Sequence, residues 1–208
     1  MYTSETLAYF NLPVFIEKLK TLRSEKDNSN VNYTIILLST TIIESVLFDI
    51  INLTLKYSYP KDPMQQRIFD KQIEKANKAS WSELNDLIEI VFGKKLNECV
   101  SNNLWKSIKF LFIYRNILVH GKPIVVERNH KENKLEEDYV GKFKLIHEFL
   151  IENRVVLKTE HGILNDKVAD YFWTQTKSFI TNVSECLSDN KNKVVYLMLK
   201  DALVNITS

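Results

Sequence analysis

Apolar residues recur along this chain at three- and four-residue steps, the period of helices that bury one face. The segment "NLPVFIEKLKTLRSE" carries such a stripe in Phe15, Ile16, Leu19 and Leu22, after a short helix over about 4–10. Asn11 is placed to cap it and Pro13 sits in its first turn. A polar turn, "KDNSN", then leads into an almost unbroken apolar run. The pattern predicts a long helix over 31–57, stopped by "YSYPKDP". Beyond a basic, Lys- and Gln-containing stretch at 64–79, Ser80 and Glu83 have the spacing of a capping box. The helix they open carries Trp81, Leu84, Leu87, Ile88 and Val91 and ends at Gly93. The next starts near Ser101 and stops at Gly121, with Pro123 just beyond, the usual punctuation of a helix C-terminus.

Residues 124–140 change character: a β-branched run, a polar turn and a charged run predict an irregular loop or a small hairpin. "KLIHEFLIEN" has the pattern of a short helix, and "VVL" with "GIL" that of a minor strand pair. Asp166 is placed to cap a helix through "KVADYFWTQTKSFITNVSECL", and a last helix covers 191–204. The expected architecture is all-α. It is one helical-bundle domain over 1–208, with an irregular insertion at 122–165 after the fourth main helix.

Composition agrees with that picture, because only four Gly and four Pro are available to interrupt helices. A formal net charge of +2 is too small to imply nucleic acid by itself, so any basic surface has to come from local arrangement. Cys99 and Cys186 lie far apart with no CxxC or Cys/His cluster, and are expected to be reduced, part-buried thiols in a cytosolic protein. The N-terminus shows neither the basic nor the apolar region of a signal peptide, which gives a cytoplasmic expectation. The stretch 33–55 is long enough to cross a bilayer, yet Glu44 and Asp49 fall inside it and each would be costly there. A core helix is the simpler reading, with no membrane involved.

The candidate chemistry lies in "FLFIYRNILVHGKP", where Arg115, Asn116 and His120 interrupt an otherwise oily helix. Asn116 and His120 are one turn apart on the same face, and Ile113, Lys109 and Lys106 extend that stripe backward. Arg115 is displaced from His120 by about 140° on ideal geometry. Either its long side chain bends back or the last turn departs from α geometry. An arginine offers a fork of donors to phosphate oxygens, and a histidine moves a proton near neutral pH. No carboxylate cluster nearby suggests a metal. Glu44, among apolar neighbours, is either a hydrogen-bonded core carboxylate or a site-facing one. Lys106 and Lys109 are candidate phosphate contacts, or simply a solvated face. Trp81, Trp105 and Trp173 are expected in the core, with base stacking as the functional alternative. His130 and His147 have the setting of loop and surface residues.

"RNILVH" resembles the Arg-Asn-x3-His signature of the HEPN superfamily, the higher eukaryotes and prokaryotes nucleotide-binding domains. In that family the motif ends one helix of an α-helical bundle and is often followed by Gly, as here. A looser Arg-x6-His match recurs at Arg154 and His161, but without Asn after Arg and in a Val-rich context. The resemblance implies a metal-independent endoribonuclease with no cofactor, acting on RNA in toxin–antitoxin, abortive-infection or phage-defence systems. It also implies a homodimer through the motif helix, and an acidic residue facing the site from an earlier core helix, a role that would fall to Glu44. In that chemistry a ribose 2′-OH attacks the adjacent phosphate, His120 moves a proton, Arg115 stabilises the gathering charge and Asn116 orients either partner. The products carry 2′,3′-cyclic phosphate and 5′-OH ends. An antitoxin or other regulatory protein is a further expected partner, although "HGKPIV" lacks the tyrosines of the subgroup controlled by a nucleotidyltransferase. A non-catalytic module of the same family, binding RNA, a nucleotide or a partner protein, is the alternative. An unrelated helical interaction protein is the third.

Overall fold

The axis of the molecule is a 29-residue helix, α1 (Ser29–Tyr57), apolar almost all the way round. The computed structural model describes residue 21 and residues 29–57, 62–120, 126–131, 134–158 and 163–187. The helices expected over 4–10 and 191–204, that over 11–25 apart from the helical residue 21, the Gly121–Pro123 stop and His161 lie outside these residues. A helix apolar all round has to be covered all round. α1 packs against α2 (Pro63–Lys78), α3 (Trp81–Phe92), α4 (Asn102–Val119) and α6 (Asp166–Leu187). Ile36, Ile42, Ile43 and Ile51 are left with no exposed surface. The segment Val31–Asn52 is long and apolar enough to span a membrane, but 56% of its most apolar window is buried within the protein. That makes it a core helix. The polar run within it is accommodated by back-bonding: Ser39 Oγ donates to the Ile35 carbonyl at 2.8 Å, and Thr40 and Thr41 both donate to Leu37.

The other elements follow their caps. Ser80 and Glu83 close the capping box of α3, and Gly93, at φ 68°, ends it in the left-handed conformation that suits a residue without Cβ. Ser101 caps α4. The long helix α6 begins one residue earlier than its acid suggested: Asn165 Oδ1 accepts from the Val168 amide, so Asn165 is the cap and Asp166 the first-turn acid. The basic stretch 64–79, for which the apolar pattern gave no element, is the helix α2. Asp62 accepts from the Met64 and Gln65 amides, Pro63 occupies the first turn, and Glu74 pairs with Lys78 one turn on.

After α4 the chain forms an antiparallel hairpin, β1 (Val126–Lys131) with β2 (Lys134–Tyr139), in register from Val126↔Tyr139 to Lys131↔Lys134. It is the small hairpin expected there. α5 (Lys142–Glu152) then buries Phe143, Ile146, Phe149 and Leu150 against the bundle. The strand pair expected from "VVL" and "GIL" does not form among the described residues. The Val155 amide instead donates to Leu150 and that of Arg154 to Ile151, a helix-closing turn in which Arg154 takes φ 58°. Arg154, half of the looser motif match, is thus an exposed residue of a helix stop.

Cys99 and Cys186 correct a second expectation. The turn after α3 and the end of α6 meet, the Cα atoms are 5.3 Å apart, and the sulfurs pair as a disulfide across 87 residues of sequence. Linear spacing carries no trace of such a pairing, because it depends on how two distant elements dock. Thiol titration of denatured, unreduced protein should find no free cysteine, and reduction should release two. A Cys99→Ser/Cys186→Ser variant should lose about 2–4 kcal/mol of stability, lowering Tm by about 5–15 °C. Full thiol reactivity before reduction is the contrary result.

Candidate functional site

A polar patch on α1 begins the site. Thr41, Glu44 and Ser45 stand at i, i+3 and i+4, with Phe48 one turn beyond, and all four line a cleft of about 770 Å3. The facing wall comes from α4 as Phe112, Arg115 and Asn116, again at i, i+3 and i+4. The junction of α2 and α3, residues 78–82, closes the end. In that wall Trp81 stacks on Phe112 with ring centroids 4.2 Å apart, and its indole is half-buried.

Arg115 and Glu44 meet across this cleft at 4.0 Å, the outer limit of an ion pair, with side chains 35% and 29% exposed. Arg115 also donates to Asn116 Oδ1 at 3.1 Å. Burial raises the Glu44 carboxyl above its ordinary value of 4.5, and Arg115 only partly opposes that. Thus Glu44 does face the candidate site, and the guanidinium it faces is held loosely.

His120 is elsewhere. It caps the C-terminus of α4, its amide donating to the Asn116 carbonyl at 3.2 Å, and its exposed side chain borders a separate hollow of about 280 Å3 with Asn116, Ile117 and Lys142. Asn116 is the common wall of the two spaces. The last turn of α4 does not rewind to bring Arg115 and His120 together within one chain. Lys106 pairs with Glu152 at 3.1 Å and lies over the Phe149 ring, while Lys109 lies over Trp105. Both lysines are exposed and neither lines the cleft. His147, expected at the surface, is half-buried with its ring edge-on to Tyr139 at 4.9 Å.

Several residues at the site gave no functional signal in the sequence, and Trp81 gave only base stacking as an alternative to the core. Lys78, Ser80 and Trp81 enter the cleft only because α2 and α3 turn back on α1. Lys142 reaches His120 because the hairpin returns the chain to the end of α4. Tyr114, directly before Arg115, fixes the rotation of α4: it is fully buried and its hydroxyl donates to the Ile163 carbonyl at 2.7 Å. From α1, the Tyr33 hydroxyl reaches the Leu118 carbonyl at 3.5 Å, one of the last carbonyls of the helix. Comparison of the chain with protein-family models, with curated proteins and with solved structures found no match.

Two outcomes follow for stability. Tyr114→Phe strands a buried carbonyl and should cost about 1–3 kcal/mol, read as a Tm drop of about 3–10 °C; an unchanged Tm would mean that this bond does not hold α4. For Glu44 the folded state binds the proton more readily than the unfolded chain. Its charge therefore costs stability above the folded-state pKa, and the cost disappears as pH falls below the unfolded value. Glu44→Gln should raise stability at neutral pH by no more than about 1 kcal/mol. Thermal melts should show that gain shrinking through the carboxylate range; a loss at neutral pH contradicts it.

Proposed function

We propose that this protein is a metal-independent endoribonuclease of the HEPN type, of the kind found in toxin–antitoxin, abortive-infection or phage-defence systems. One observation carries the reading. The end of α4 presents Arg115 and His120 on opposite sides of Asn116, each opening into its own hollow, with Glu44 set against the arginine. The exposed face of the same helix runs Lys106, Lys109, Asn116, Val119 and His120, and Val119 leaves an apolar side chain 51% exposed beside the histidine. That face suits a second copy of the helix.

In a twofold dimer the composite site takes Arg115 from one copy and His120 from the other. The 2′-oxygen of a ribose bonds to the adjacent phosphorus, and the bond from phosphorus to the 5′-oxygen breaks. The 2′ proton passes to the imidazole of His120, the departing 5′-oxygen takes a proton from solvent water, and His120 afterwards returns its own proton to solvent. Arg115 spreads the charge on the non-bridging oxygens, and Asn116 holds the guanidinium in place. A non-catalytic binding module is the second reading. It is favoured by the fact that within one chain Arg115 answers to Glu44 and Asn116, not to His120.

Cleavage of RNA in EDTA is the test. His120→Ala should lower the rate by about 10²–10⁴-fold and Arg115→Ala by about 10²–10³-fold, with the dimer intact. Co-assembly of the two variants should restore about a quarter of wild-type activity, since half the dimers then hold one complete site of two. Cleavage that survives both substitutions removes the assigned site. Separate losses without complementation place both residues in one chain's site, and no cleavage by a folded dimer leaves the binding module.

A further inference from the structure

The 770 Å3 cleft is larger and more aromatic than phosphate stabilisation by Arg115 requires. Its volume lies in the range of small-molecule and nucleotide sites. Its lining includes two cations, Arg115 and Lys78, and the hydroxyl-bearing Thr41 and Ser80. Its aromatic portion is the Trp81–Phe112 stack. Trp105 and Phe179 also flank Trp81, with centroids 5.8 and 6.0 Å away, yet the indole keeps part of its surface exposed in the cleft. A rigid, partly exposed indole beside two cations is the chemistry that holds a planar ring carrying an anion.

We propose that this cleft is a base-holding subsite, in which a nucleobase of single-stranded RNA lies against Trp81 and its phosphate reaches Arg115 and Lys78. The inference rests on the ribonuclease reading and deepens it. The base is held by stacking, which tolerates every base, while the hydroxyl rim can meet its polar edges. Among the described residues Lys78 is tied to Glu74, in an exposed pair that a phosphate can outcompete. The cleft thereby sets where the chain of RNA lies relative to Asn116 and the hollow of His120.

The test uses the full chain and a short 2′-O-methyl RNA carrying 2-aminopurine, whose blocked 2′-oxygen separates binding from cleavage. Wild type should bind it and quench the 2-aminopurine. Trp81→Ala should bind about tenfold more weakly with the quench abolished. Trp81→Phe, which keeps a ring against Phe112 and the fold with it, should retain the quench in part. Lys78→Ala should weaken binding and reduce the salt dependence by about 0.7 in log–log slope. Unchanged affinity and quench in folded Trp81→Phe and Trp81→Ala would overturn the subsite, even where unmodified RNA is cut through His120 and Arg115. Trp81-dependent binding by a wild type that cuts no RNA would instead sink the ribonuclease reading and leave the subsite standing.

Discussion

Everything in this fold depends on hiding α1. A 29-residue helix rich in Ile and Leu has no face that tolerates water for its full length, so four other helices are drawn onto it. The exception is the short polar face of Thr41, Glu44 and Ser45, and the cleft lies against that face. The flanking residues Ile42, Ile43, Val46 and Leu47 are at most 1% exposed, so α1 cannot roll to hide Glu44 without exposing them. Burial of the oil therefore fixes the carboxylate at the cleft, and the same burial disfavours its charge.

The geometry of α4 imposes the second constraint. Five residues of α-helix turn about 140°, and Tyr114 and Ile117, on the opposite side of the helix from the exposed arc that carries Asn116 and Val119, are buried at 0% and 3% exposure. Rolling α4 to carry His120 toward the cleft would pull Tyr114 off Ile163 and out of the core. Thus the contacts that hold the helix also hold Arg115 and His120 apart. Two such residues serve one reaction only if a second copy supplies the missing half; otherwise they serve different tasks on either side of Asn116.

Much of this was legible in the sequence where the cause is local. Ser80 with Glu83, Gly93, and Ser101 marked helix ends because capping needs only neighbours. The oily run at 31–57 announced the central helix because its length and pattern are self-contained. α2 escaped because its stripe is thin, Phe69 and Ile73 being only part-buried beside the buried Ala76, with Asp62, Pro63 and the Glu74–Lys78 pair supporting the helix. The cap of α6 was misplaced by one residue because adjacent Asn165 and Asp166 compete for the same role. The disulfide, the role of Tyr114 and the closure of the cleft by Lys78 to Ser82 were out of reach for another reason. Each is a meeting of segments whose docking no local pattern encodes.

The Arg115–Glu44 pair is the part of the site least explained by stability. At 4.0 Å, with a third of each side chain in water, it contributes little. Its carboxylate is opposed by burial, so the pair is no bargain for folding. What it does is set the guanidinium in the lining of the cleft, steadied by Asn116, with Glu44 and Asn116 its partners among the described residues. A strongly satisfied arginine would resist a second anion, and a free one would be disordered. A weakly satisfied one, on a helix locked by Tyr114 and facing a carboxylate whose charge burial disfavours, keeps its place at the cleft without being held by a strong pair.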